Sequence, residues 1–204
     1  MFYRDDRGFS LLEMMMVVAL LGVLTVIAVP MSGNTLKYLK LSGDARELAN
    51  LTAVAKMRAA AKFTQSRVYI DINGRQFKVE TWRKANPTAI PAVVAGWETE
   101  GGLTSLSNTV VFGFGTVATP PPNTQTTIDQ APACLNDAGV AIANTACIIF
   151  NSRGIPIEDT GSPTGLDAIY VNDGIGVYGI TIAATGFIRT WQTNYQTTPL
   201  WSQR

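Results

Sequence analysis

The chain has 204 residues, with 16 Lys and Arg against 15 Asp and Glu, two Cys and no His, for a formal net charge of +1. The absence of His excludes a Ser-His-Asp triad, a Cys-His dyad, an HExxH zinc site and an imidazole switch. Near-neutral charge supplies no global basic field of the kind that marks a nucleic-acid binder, and 47% apolar with only 15% charged residues excludes a disordered solvating chain.

The N-terminus opens on the polar stretch MFYRDDRG and then turns apolar from Phe9. Met14 to Val29 carries no charge, and Phe9, Leu11 and Leu12 lengthen the run, with Glu13 as its one acid. As a helix, Phe9 to Val29 spans ~30 Å, the thickness of a bilayer's hydrocarbon core. Three readings compete. An ordinary secretory signal has a passable cut site at Val26-x-Ala28, but an acid at the start of its apolar region counts against it. A plain membrane anchor carries Glu13 as a defect costing about 2.5–3.5 kcal/mol if it lies deep. A cut after Gly8 that leaves the apolar stretch on the mature chain makes use of every feature. For Glu13 itself, the plain alternative is an acid that snorkels to the interface.

Pro30 is expected to break or kink the helix. Beyond it Leu36, Leu41, Ala45, Leu48, Ala55, Ala59 and Phe63 recur at three-to-four-residue steps, with Lys37, Lys40, Asp44, Arg46, Glu47, Lys56, Arg58 and Lys62 largely between them. That spacing predicts an amphipathic helix whose apolar stripe is core and whose charged positions are a solvated face.

After Ser66 the period changes to two. Strands are expected over 67–72, 75–82, 109–114, 146–150, 167–171, 176–182 and 187–191, with Asn73-Gly74, Asn172-Asp173-Gly174 and Thr185-Gly186 as turns. Lys84 to Thr104 and Thr116 to Ala133, with Pro87, Pro91 and Pro120-Pro121-Pro122, read as irregular surface loops. Beyond Ser66 acids are scattered, with Glu98-x-Glu100 and Glu158-Asp159 the only close pairs there, and solvated loop acids explain them better than a carboxylate catalyst. Asp71-x-Asn73-Gly74 begins like a calcium loop but lacks its remaining ligands. No phosphate loop and no nucleophile motif stands out, so no cofactor, metal or catalytic residue is expected. Cys134 and Cys147 are too far apart for a CxxC pair and too few for structural zinc.

Gly8-Phe9-Ser10-Leu11-Leu12-Glu13, leading into the apolar run, resembles the class III signal of type IV pilins and pseudopilins; Gly22 and Pro30 also match common family residues. Phe150 to Pro156 (FNSRGIP) and Ile180-Thr181-Ile182-x-x-x-Gly186-x-Ile188-Arg189 resemble the C-terminal domain of GspH/FimT-type minor pseudopilins and minor pilins. The resemblance implies an α+β fold, a long N-terminal helix packed on an antiparallel β domain. It divides the chain into a leader (1–8), a transmembrane and assembly half-helix (9–30), an amphipathic half-helix (31–66) and a periplasmic β domain (67–204).

It also implies cleavage after Gly8 by prepilin peptidase and methylation of Phe9. Glu13 would meet the N-terminal amine of a neighbouring subunit, which offsets the cost of a carboxylate in lipid. The implied protein is an inner-membrane, single-pass structural subunit with a periplasmic domain. It would initiate or cap a type II secretion pseudopilus or a type IV pilus, with other pilins and an inner-membrane assembly platform as partners. On the oxidising side of the membrane Cys134 and Cys147 would pair, closing a fourteen-residue loop worth roughly 3 kcal/mol; two free thiols are the alternative. A rival role is a tip module for adhesion or DNA uptake. Uptake members carry Gly-Arg-x-Arg, where this chain has Gly186-Phe187-Ile188-Arg189; Phe187 replaces a cation, which disfavours nucleic acid as a partner.

Overall fold

The computed structural model describes residues 10–204, apart from the side chains at 27–32 and 34. The chain divides into two compact units, 1–39 and 40–204. Among the described residues one helix, α1 (Leu11–Ala61), precedes ten strands: β1 (Ser66–Asp71), β2 (Gln76–Arg83), β3 (Gly96–Ser105), β4 (Val111–Phe112), β5 (Thr145–Phe150), β6 (Pro156–Ile157), β7 (Ala168–Asn172), β8 (Gly176–Ile182), β9 (Ile188–Asn194) and β10 (Ser202–Gln203). The fold is α+β, as expected. All the strand pairings are antiparallel, and they form two five-stranded sheets in the orders β3-β2-β1-β5-β6 and β10-β9-β8-β7-β4.

The helix is unbroken through Pro30. Its start is capped: Leu12 N–H donates to Ser10 Oγ (3.3 Å) and Met14 N–H to the Ser10 carbonyl (3.1 Å). Its end is a Schellman turn, in which Thr64 N–H reaches the Ala59 carbonyl and Phe63 N–H the Ala60 carbonyl. Phe63 occupies the left-handed position (φ 50°) where glycine is usual, and Lys84 donates to its carbonyl at 3.0 Å.

Within 40–204 the helix is the spine of the core. Leu41, Ala45, Leu48, Thr52, Ala55 and Ala59 are fully buried, at steps of four and three. They pack with Val68, Ile70, Phe77, Ile148 and Phe150 of the first sheet and Ile169, Val171, Ile180 and Ile182 of the second. The small side chains let strand residues approach the helix closely. Two members of the expected stripe depart from it: Leu36 and Phe63 are 57% and 76% exposed. Leu36 precedes the part of α1 that the sheets cover, and Phe63 lies past the last helical residue.

Three loop expectations need correction. Residues 84–104 are not all loop, because β3 begins at Gly96 and pairs along β2 with a bulge opposite Phe77 to Val79. Glu98 and Glu100 are therefore strand residues; Glu100 pairs with Arg58 (3.3 Å) and Lys62, and Glu98 with Arg83 (3.8 Å). The stretch 116–133 is not a free surface loop either. Val117, Ile128 and Ala131 are buried, and Val117 and Ile128 cover the second face of β7 and β8 with Ala168, Tyr170 and Val177. The Gln130 side chain docks on β7 as a strand would: its amide donates to the Tyr170 carbonyl (3.0 Å) and accepts from the Tyr170 N–H (2.7 Å). Finally, Asp71 pairs with Gln76, so the first hairpin has four loop residues, and the positive φ falls on Arg75. A Cβ at Gly74 would lie 2.3 Å from Asp71 Oδ2 and turn away the carboxylate that accepts the Gly74 N–H.

Candidate functional site

Ser10-Leu11-Leu12-Glu13 has the spacing of a capping box, with Ser10 as the N-cap and Glu13 at the third helical position. Glu13 is exposed and lies in the first turn, where a carboxylate complements the helix dipole. This local role for the acid was legible in the S-x-x-E spacing and went unread beside the signal pattern. Gly8 and Phe9 lie outside the described residues.

From Leu11 to Val26 the helix exposes apolar side chains on every side, among them Leu12 (69%), Leu20 (63%) and Val26 (75%). A surface this apolar all round requires lipid or protein against it. The expected span Met14–Val29 runs past Val26 into side chains outside the described residues. Among the described residues no helix is long and apolar enough to cross a membrane.

In the globular part, polar groups join the helix to the sheets. Asp44 was expected on a solvated face, but it is buried and accepts from Ser107 N–H (2.8 Å) and Oγ (3.0 Å). Lys56 was read the same way. Its ammonium instead donates to the Gly186 carbonyl at 2.8 Å, and its stem passes Gly154. The two C-terminal motifs thus meet at one lysine, through Gly154 of the first and Gly186 of the second. Gly186 needs to be glycine: its φ is +76° and a Cβ would lie 2.3 Å from the Gly154 carbonyl oxygen.

Where uptake members carry a paired cation, Phe187 is exposed and the Arg189 guanidinium lies 5.5 Å from its ring centroid. Arg189 is half-buried, and its Nε has no hydrogen-bond partner.

A buried ion pair stands on the outer face of the first sheet. The Arg67 guanidinium donates to Glu80 Oε2 from Nε (2.7 Å) and lies 2.6 Å from it through Nη2, while Nη1 donates to the Leu135 carbonyl (2.6 Å). Trp97 stacks on the guanidinium at 3.9 Å, and Lys78 reaches the second oxygen of Glu80 at 2.8 Å. Burial lowers the Arg67 pKa, against the opposing pull of Glu80. Sequence reasoning missed this pair, because alternation alone assigns Arg67 and Glu80 to solvent. The segment that covers it is held by the bonded pair Cys134–Cys147, which ties 134 to β5 as expected. Among the described residues no group of His, Cys, Asp and Glu is placed to hold a metal ion.

Residues 3–29 match the prokaryotic N-terminal methylation motif. Among solved structures, two of the minor pseudopilin EpsH from the type II secretion system of Vibrio cholerae match this chain. One is 13% identical with a TM-score of 0.42, covering 80% of this chain and 96% of that one. The other is 11% identical with a TM-score of 0.34, covering 81% and 96%. At this level of similarity neither fixes the function of this chain. No curated protein matches it.

Proposed function

We propose that the protein is a minor pseudopilin or minor pilin of the GspH/FimT type, a structural subunit without catalytic activity. Prepilin peptidase cuts after Gly8, and Phe9 becomes the methylated N-terminus. The apolar half of α1 holds the subunit in the inner membrane with the β domain in the periplasm. Other pilins then receive that half-helix when an assembly platform extracts the subunit into a filament, which it initiates or caps. Glu13 offsets the positive end of its own helix in the free subunit and meets a neighbour's N-terminal amine in the filament.

The observation that carries this reading is the methylation motif over residues 3–29, continuing into a helix whose first half is exposed and apolar and whose second half is the core of two sheets. An assembly subunit needs that division. One half-helix must be free to exchange lipid for protein, and the other must be fixed to a folded head. Phe187 against Arg189 favours this role over a phosphate clamp. Secretion, twitching and transformation assays in a deletion strain test the reading. Loss of secretion or of filaments agrees with it; loss of transformation alone, with filaments intact, contradicts it.

A further inference from the structure

Side chains alternate along β9, so with Ile188 packed on the core, Arg189 lies on the other face of the second sheet. There it stands opposite Thr181 of β8 and lines a cleft of about 450 Å³ with Leu166 and Asp167. Every other Lys or Arg that is not exposed among the described residues has an acceptor. Lys56 has the Gly186 carbonyl, Arg75 the Ser107 carbonyl, and Arg67 and Lys78 share Glu80. Arg189 has none. Its Nε is buried without a hydrogen-bond partner, the one charged group so placed among the described residues, and its guanidinium rests instead 5.5 Å from the Phe187 ring. A ring attracts a guanidinium but leaves its N–H donors unsatisfied. The Thr181 hydroxyl accepts from Trp191 Nε1 at 2.9 Å. Asp167 is not the missing counter-ion: burial first and Glu158 second push its carboxyl up to about 6, where a paired guanidinium would pull it down.

We propose that Arg189 is the docking point for an Asp or Glu side chain of a partner protein.

The chemistry of the surroundings selects that occupant. The planar fork of a guanidinium matches a carboxylate side-on, through Nε and one terminal nitrogen. Arg189 has already lost part of its water by half-burial, so an incoming carboxylate gains more there than at an exposed lysine. Apolar surface stands beside the charge: Phe187 is 58% exposed and Leu166 57%. An arginine among exposed apolar and aromatic side chains has the composition of a protein interface centre, and a free anion would leave that apolar surface uncovered. A nucleic acid fits poorly. Arg189 is the only Lys or Arg lining the cleft, and a strand of phosphates would also have to pass Asp167. The proposal rests on the β domain alone and stands apart from the filament reading.

The test is zero-length cross-linking of the full-length Arg189→Lys chain in its native membranes. The lysine keeps the charge, and a carbodiimide joins its amine to a touching carboxylate as an amide, with loss of water. Mass spectrometry should find residue 189 bonded to an Asp or Glu of a different protein. The Lys62–Glu100 pair, cross-linked within the chain, reports that the reagent acted. Arg189→Gln should lower recovery of that same partner with the unmodified membranes about tenfold or more, and Phe187→Ala should lower it too. Because Arg189 satisfies no acceptor of its own chain, purified Arg189→Gln should melt within about 2 °C of the parent. Four outcomes overturn the proposal. They are a Lys62–Glu100 cross-link with none at residue 189, a cross-link from 189 only to acids of this chain such as Asp167, a clearly lower melt for Arg189→Gln, or binding of a labelled single-stranded oligonucleotide by the parent that Arg189→Gln abolishes. The oligonucleotide titration begins from the unaltered protein, and the melt uses a variant other than the cross-linked one.

Discussion

Lys56 on α1 donates to the carbonyl of Gly186, 130 residues away, at 2.8 Å. That hydrogen bond ties the helix to the turn joining β8 and β9, while the lysine stem packs on the Gly154 turn after β5. One side chain therefore joins the spine to both sheets.

Lys56→Met keeps most of the stem and leaves the Gly186 carbonyl without its donor. It should cost about 1 kcal/mol in urea unfolding of the full-length protein. Gly186→Ala should cost more, about 1–3 kcal/mol, because the residue is left-handed and its Cβ would press on the Gly154 carbonyl. Equal stability of Gly186→Ala and the parent would contradict the geometry of the junction.

Removing one member of the Arg67–Glu80 pair leaves a buried charge. Glu80→Ala should cost about 3–5 kcal/mol, and Arg67→Ala less, because Lys78 still pairs with Glu80. Replacing both with methionine should recover most of that loss, and a double-mutant cycle measures the coupling.

The disulfide fixes the segment over that pair. Cys134→Ser with Cys147→Ser should lower stability by roughly 3 kcal/mol in the chain-entropy picture. Reductant should destabilise the parent and leave the double variant unchanged.

Asp167 sets a pH dependence. Its folded pKa is raised from 3.8 to about 6 by burial and by Glu158, so the folded state prefers the protonated acid. The contribution is fully present below the unfolded value and is lost as pH rises through about 6. Asp167→Asn should therefore melt higher than the parent above pH 6, with the difference shrinking toward pH 4. A difference that stays constant across that range would remove Asp167 as its source.

What could be read in the sequence followed how local the cause was. The N-terminal pattern depends on adjacent residues, and the central strands announce themselves by alternation, so β1, β2, β5, β7, β8 and β9 were legible. β3 was not. It is an edge strand holding Gly101-Gly102 and two glutamates, and a largely exposed edge has no apolar alternation to display. The burial of Val117 and Ile128 was hidden for another reason: a Pro-rich segment becomes a cover only because β7 and β8 present a second apolar face to it. Lys56 and Arg67 are surface residues by type, and the chain distances that bring their partners close leave no trace in spacing. Asn73-Gly74 marked a turn correctly but not its length, since the loop runs over four residues and its left-handed residue is Arg75.

On the proposed function, the apolar helix stays on the mature chain behind a processed N-terminus. Intact mass and N-terminal sequencing of the protein purified from its native membranes test it most directly. A chain beginning at methylated Phe9 is the expected result. A chain beginning at Met1, or at Val29 with Glu13 removed, would rule this processing out.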